Sequence, residues 1–221
     1  MLDSIVQRII EQPDTPFIDR LFSKEEAQSI FDWKDVSFLL RNNDYKFEII
    51  NNFGDKIKVP KFHYDWAIYD GAVQDKAFIY KHIKSGNGFV ILGQSNYNET
   101  MYDLSKTFEE KLNQSIDIHV YGGYNKNSKS FAAHTDPTMN VILQIDGVSL
   151  WRVYAQKRHE VEPKDTHLLT EIFSKKLYPG MLLYIPRYLY HKCEGMEKRL
   201  SFSFAMSNIN VSNEPRMTFE L

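Results

Sequence analysis

The 221-residue chain is poor in several of the features that usually fix a protein's class at first sight. It has a single cysteine, Cys193, which rules out an intramolecular disulfide and any thiolate zinc cluster of the finger type. Such sparing use of cysteine fits a reducing compartment, and a cytoplasmic protein is expected. No apolar run approaches the roughly 18 residues that a membrane-spanning helix needs. The opening segment, MLDSIVQRIIEQPD, carries charges every few residues, unlike a secretory signal. Neither charge sign is in excess: Lys+Arg 27 stand against Asp+Glu 29, for a formal net charge of -2. The bases are interspersed with acids, so there is no electrostatic footprint for coating nucleic acid. No repeat, low-complexity tract or linker divides the chain. One domain spanning 1–221 is expected, since a chain of this length removes roughly 70% of its extended surface from water on folding.

What is present changes character near residue 115. Before it, helical spacing dominates. Ile5, Ile9 and Ile10 fall on one helix face, closed by Pro13 and Pro16. Ser23-Lys24-Glu25-Glu26 reads as an N-cap with first-turn acids, opening a second helix that runs through Phe31 and Trp33 toward Leu40. Residues 45–64 suggest a hairpin turning at Asn51-Asn52 and Gly54-Asp55. A helix over about 73–84 ends near Gly86 or Gly88, and GFVILG follows as a buried strand. In TMYDLSKTFEEKLNQ, Met101, Leu104, Phe108 and Leu112 share one helical face. After residue 115 come short strand-like segments separated by turns: IDIHVYGGY, FAAHTD, NVILQIDG, SLWRVYA, MLLYIP and RLSFSFAM. Strands so closely spaced, with no long helix between them, predict an antiparallel sandwich or barrel. The expected organisation is mainly β with α: helical cover and first strands over 1–114, a β core over 115–206, and a tail over 207–221.

Among seven histidines, His134 stands two residues before Asp136. In an extended segment that spacing puts both side chains on one face. Redox iron chemistry with dioxygen uses two imidazoles and one carboxylate on one side of the metal, so a distant second histidine is required. His191 is the candidate, expected just past the strand that follows the Pro179-Gly180 turn. Standing alone, such a triplet is as readily a hydrogen-bonded structural feature. His63, His82, His119, His159 and His167 have no ligand partner at a sensible spacing and read as surface or structural residues. Trp151, Phe131, Phe202 and Phe204 read as barrel packing. Arg152 has the opposite parity to Ser149 and Trp151 and should point away from them, while Cys193 has no base beside it that would make it a nucleophile.

The surrounding text carries more information than the triplet. FAAHTDPTMNVILQIDGVSLWRVY, PGMLLYIPRYLYHKCE and the leading strand IDIHVYGGY resemble, in order and spacing, the JmjC-type Fe(II)/2-oxoglutarate oxygenases of the cupin superfamily, in particular the catalytic core of the ribosomal oxygenases. The resemblance implies a double-stranded β-helix with covering helices outside. It implies Fe(II) held by His134, Asp136 and His191, with 2-oxoglutarate as cosubstrate and dioxygen as oxidant. Oxidative decarboxylation to succinate and carbon dioxide would be coupled to hydroxylation of a substrate.

Further positions follow from that resemblance. Asn140 lies six residues after the first histidine, where many members place an asparagine that contacts 2-oxoglutarate. The Lys or Arg commonly found two residues before the tryptophan is replaced by Ser149, a departure from the pattern. A buried carboxylate without a cation is unfavourable, so the anchor must come from elsewhere. Arg199-Leu200-Ser201 is similar to an Arg-x-Ser pair used in other branches of the superfamily, and alternation puts Arg199 and Ser201 on one face. Tyr121 and Tyr124 are further candidates to donate a phenol hydrogen bond. About fifteen residues follow the last expected strand, so substrate choice is expected to fall to the first hundred residues and to loops 125–130 and 158–169. A peptide or protein side chain is the favoured substrate. A small-metabolite hydroxylase and a non-catalytic metal-binding cupin are the alternatives, and the sequence gives no oligomeric state.

Overall fold

A computed structural model describes residues 1–63, 72–161 and 163–208. The elements, in chain order, begin with helix α1 (Leu2–Glu11), strand β1 (Phe17–Arg20), α2 (Lys24–Ile30) and α3 (Trp33–Arg41). Strands β2 (Phe47–Ile50), β3 (Lys56–Ile57), β4 (Lys61–His63) and β5 (Ala72–Gln74) follow, then α4 (Lys76–Lys84), β6 (Gly88–Ile91) and α5 (Glu99–Leu112). The β-rich half comprises β7 (Gln114–Gly123), β8 (Asn140–Asp146), β9 (Ser149–Lys157), a 3-10 turn at Pro163–Leu168, β10 (Glu171–Leu177), β11 (Met181–Ile185), β12 (Leu189–Gly195) and β13 (Arg199–Asn208).

Eight strands form one antiparallel sheet in the order β1-β11-β8-β13-β7-β6-β2-β3, and three form a second, β10-β9-β12. The first strands expected before residue 114 join the large sheet: β1, β2, β3 and β6 come from the first half of the chain. The expected tail over 207–221 lies outside the described residues, except that β13 continues through Ser207 and Asn208.

Alternation along the central strands explains how one sheet serves two purposes. Val141, Leu143 and Ile145 of β8, Ile116, Ile118 and Val120 of β7, and Leu200, Phe202, Phe204 and Met206 of β13 belong to one buried cluster with Ile5, Ile9, Leu39, Ile79, Met101 and Phe108 of the helices. The intervening residues face the small sheet. There Ile142, Leu183 and Ile185 meet Trp151, Val153, Leu189 and Cys193 in a second cluster. Phe202 and Phe204 thus pack against the helices, with ring centroids 5.7 Å from Phe31 and 5.2 Å from Phe108 respectively. They are packing residues, as expected, and the polar residues on either side of them face the cavity.

Local chemistry accounts for the element boundaries that differ from expectation. The helix expected across residues 23–40 is two helices, because Asp32 takes an extended backbone and caps α3 in a reciprocal box with Asp35. That side chain offers the first N–H groups of α3 a partner that a continuous helix would not use. The β2–β3 hairpin forms as expected. Asn51 Oδ1 accepts from the backbone N–H of Phe53 and Asp55 at 2.8 and 2.9 Å, and Gly54 supplies the left-handed residue at φ +91°. The segment continued as one run in the sequence breaks at Pro60, so that β4 leaves the large sheet and pairs with β5. FAAHTD is no strand either: it makes a single bridge, between His134 and His191.

Candidate metal and cosubstrate site

That bridge builds the metal side of the site. His134 and His191 exchange backbone hydrogen bonds, His134 N to His191 O at 3.1 Å and His191 N to His134 O at 2.9 Å. Two steps on, the Tyr188 N–H donates to the Asp136 carbonyl at 2.8 Å. Residues that exchange both bonds in an antiparallel pair hold their side chains beside each other, and the imidazole centroids are 4.4 Å apart. His191 is the third residue of β12 rather than a residue past a strand end. The ligand atoms offered by His134, Asp136 and His191 all lie within 4.8 Å of one another.

The ring tautomers follow from the backbone. His134 Nδ1 lies 2.8 Å from the carbonyl oxygen of Ala132, and His191 Nδ1 lies 3.0 Å from that of Leu189. A carbonyl only accepts, so each Nδ1 carries the hydrogen and each neutral ring presents a lone pair at Nε2. Burial, and then the neighbouring His191 ring, lower the pKa of His134 and favour its neutral form. His191 Nε2 stands 3.4 Å from Asp136 Oδ2, an ion pair when that nitrogen carries a proton as well. That arrangement is balanced only with a cation between them, a proton or a metal ion. Burial alone would raise the Asp136 carboxyl, but the adjoining imidazoles and the Asn140 amide outweigh it and hold it below the usual range. Two imidazole nitrogens and a carboxylate oxygen, all on one side, therefore fit a divalent metal.

The cosubstrate side comes from the large sheet. Asn140, Arg199, Ser201, Tyr121 and Ser203 line the same cavity as the triad. Register explains why: Tyr121 lies opposite Ser201 and Gly123 opposite Arg199, so these side chains share the inward face. Arg199 is buried at 5% exposure. It donates from Nη1 to the Ser128 carbonyl at 2.9 Å and lies against the Cys193 thiol, and no carboxylate among the described residues is paired with it. A Cβ at Gly123 or Gly195 would collide with this guanidinium, so both glycines leave room for it in the position it takes. Ser201 and the Tyr121 hydroxyl also have no hydrogen-bond partner among the described residues. Burial, followed by the charge on Asp136, pushes the Tyr121 phenol up and keeps it a donor.

Asn140 Nδ2 donates to Asp136 Oδ2 at 3.3 Å, while its Oδ1 accepts from Ser203 Oγ at 2.8 Å. It thereby orients the metal-side carboxylate, and one amide hydrogen remains for a bound ligand. Tyr124 is a correction. Three residues from Tyr121 on the opposite face, it accepts from Lys84 Nζ at 3.0 Å and packs edge-on against Trp33, away from the cavity. Ser149 is buried in a network of its own: its Oγ donates to Gln144 Oε1 at 2.7 Å and accepts from Trp151 Nε1 at 3.1 Å. It does not line the cavity.

Phe131 corrects another expectation. It is half-buried at the edge of the site, its ring 5.6 Å from His134 and 6.3 Å from Tyr121. His119, expected to be surface or structural, is held at 2.8 Å by Asp117 and also lines the mouth above the triad with Glu48, Lys56 and Leu92. Its parity with Tyr121, two residues on, was the available signal. Arg152 points outward to Glu171 and Glu194, as its parity required. His82 and His159 are bound locally to Asn87 and Glu160, and His167 is exposed. The side chain of His63 lies outside what is described.

With this geometry in place the family follows. The JmjC domain family model matches residues 96–213, more than half of the chain, and the chain belongs to that family. Among curated proteins, Ribosomal oxygenase 1 of Rattus norvegicus is 23% identical over 203 residues, covering 84% of this chain and 30% of its own length. The Dictyostelium discoideum protein named bifunctional lysine-specific demethylase and histidyl-hydroxylase NO66 is 28% identical over 127 residues, covering 52% of this chain and 24% of its own. Among solved structures, the ribosomal oxygenase YcfD of Escherichia coli matches with a TM-score of 0.64 at 16% identity, covering 94% of this chain and 52% of that one. Its complex with cobalt and 2-oxoglutarate matches with a TM-score of 0.63 at 16% identity, over 93% of this chain and 52% of that one. The chain thus spans about half of the solved chain and less than a third of these curated relatives.

Proposed function

We propose that the chain is an Fe(II)- and 2-oxoglutarate-dependent oxygenase that hydroxylates a peptide or protein side chain. The observation that carries this reading is one cavity with two complementary ends: three lone-pair ligands facing one another, and a buried guanidinium with no carboxylate partner among the described residues. His134, Asp136 and His191 would hold the iron, with Asn140 orienting Asp136. Arg199, helped by Ser201 and the Tyr121 hydroxyl, would take the far carboxylate of 2-oxoglutarate, a charge-assisted contact with a buried guanidinium. Iron and 2-oxoglutarate, once bound, supply the activation of dioxygen that no side chain can supply. The chain's own part is to fix the ligand tautomers through Ala132 and Leu189, to orient the cosubstrate, and to close the cavity floor with Trp151 and Ile142. A protein substrate is supported by the open mouth above the triad and by the names its curated relatives carry. A cytoplasmic location agrees with the single buried cysteine, and no helix among the described residues is long and apolar enough to cross a membrane.

The test is iron-dependent formation of succinate from 2-oxoglutarate by the purified chain. The expected result is turnover that disappears in Asp136→Ala. Turnover without added iron, or turnover retained in that variant, contradicts the proposal.

A further inference from the structure

On the side of β7 that faces away from the cavity, rings and ammonium groups alternate in space. Lys84 Nζ lies 4.3 Å and Lys198 Nζ 5.0 Å from the centre of the Tyr124 ring. Lys198 Nζ is also 4.3 Å from the centre of the Trp33 ring, and Lys84 Nζ is 5.7 Å from that of Tyr80, one helical turn before it on α4. The order is thus Tyr80, Lys84, Tyr124, Lys198, Trp33, ring and cation by turns. Lys198 then leads into a groove beside the β8–β9, β10–β11 and β12–β13 turns, where Arg20, Lys24 and Tyr178 continue the stripe.

Lys84, Lys198, Arg20 and Lys24 are all exposed, and none of them has a carboxylate partner among the described residues. Lys106, Lys111, Arg152 and Lys192, elsewhere on the surface, each lie against an acid. Two acids, Asp146 and Glu197, line the groove. Asp146 already accepts from Gln28 Nε2 at 2.6 Å and from Trp33 Nε1 at 3.0 Å, so the stripe keeps an excess of positive charge. An ammonium over a ring retains that charge and its hydrogens for an anion. Regular alternation suits a polymer that itself alternates anionic links with flat apolar units, which is the chemistry of a single-stranded nucleic acid. Tyr80 is 53% and Tyr178 45% exposed, leaving ring surface on which a base can stack. An acidic peptide would use the lysines and leave the rings idle. We infer that this stripe binds single-stranded nucleic acid, phosphates to Lys84 and Lys198 and bases to the flanking rings. The near-neutral net charge of the whole chain hides it, because its members come from β1, α2, α3, α4, β7 and the β12–β13 turn and only the fold gathers them. The inference rests on this surface and is independent of the oxygenase reading.

The probe is a fluorescein-labelled dodecamer of uridylate, titrated with the full chain and followed by anisotropy at low salt. Saturable binding is expected, with log affinity falling against log salt at a slope between about −1.4 and −2.8, two to four phosphates at roughly 0.7 each. Lys84→Glu and Lys198→Glu should each weaken binding roughly 5- to 10-fold and flatten that slope by about 0.7. Tyr80→Ala should weaken it roughly fivefold or more with the slope unchanged, which loss of a charge would not do. Lys157→Glu makes the same charge change at the far end of β9 from these turns and should alter binding less than about twofold. Because Tyr80 is exposed, its variant keeps the test open should a lysine variant fail to fold. No saturable binding, or binding unchanged in the lysine variants, overturns the inference. Full affinity in Tyr80→Ala, or equal competition by a dodecamer of glutamate, also overturns it and marks the stripe as a surface for acidic partners.

Discussion

The two halves of the cavity are built by different means. The metal side hangs on one backbone bridge between a loop, residues 134–136, and a strand of the small sheet, β12. The cosubstrate side is a row of alternate residues on a long antiparallel sheet, braced by register over ten residues of β7 and β13. The first is local and depends on a few groups holding one another. The second is distributed, so single changes there should alter ligand contacts without disturbing the scaffold. What the contrast teaches is that metal affinity and cosubstrate affinity should be separable by mutation.

The largest separation is expected from the triad. His134→Ala, Asp136→Ala and His191→Ala should each weaken Fe(II) binding by roughly a hundredfold or more, read as metal stoichiometry after dialysis. Arg199→Ala should leave iron stoichiometry unchanged while weakening 2-oxoglutarate by roughly 30-fold or more, the usual penalty for losing one partner of a buried charge pair. An unchanged 2-oxoglutarate affinity would move the anchoring role to Tyr121 and Ser201. Asn140→Ala sits on the border between the halves. By releasing Asp136 it should lower metal affinity by roughly 10-fold, within the range for partners that orient metal ligands. Calorimetric titration with a divalent metal would read this change. The smallest effect on function is expected at Ser149. Ser149→Ala strips Trp151 Nε1 and Gln144 Oε1 of their shared partner and should lower stability by about 1–3 kcal/mol, read by denaturant titration, with no change in 2-oxoglutarate affinity.

Legibility in the sequence divides along the same line. His134, Asp136 and His191 could be picked out because the segments around them resemble the metal-binding blocks of the family, ligand type and spacing alone leaving a structural reading open, and the antiparallel β core was visible in short alternating segments. The bridge that unites the ligands was not visible, since FAAHTD looks like any other short strand. The resemblance to an Arg-x-Ser pair pointed to Arg199 and Ser201, and parity along the long, regular β13 put them on one face. Applied to β7, the same parity separates Tyr121 from Tyr124 and adds His119, but that strand was read by residue type instead. Glu48 was out of reach: its inward direction depends on β2 joining β7 through β6, a pairing between segments some seventy residues apart that no local pattern reports. The break at Asp32 shows the opposite limit, where one capping side chain overrode a helical pattern that continues on both sides of it.

The central claim is that one cavity joins a ferrous triad to a 2-oxoglutarate anchor displaced from position 149 to Arg199. Anaerobic titration of the Fe(II)-loaded chain with 2-oxoglutarate tests it most directly, through the weak visible charge-transfer band that bidentate chelation of ferrous iron produces. The account predicts a saturable band in the native chain, and in Arg199→Ala the same band reached only at much higher concentration. No band at full iron occupancy, or a band that saturates identically in Arg199→Ala, would contradict it.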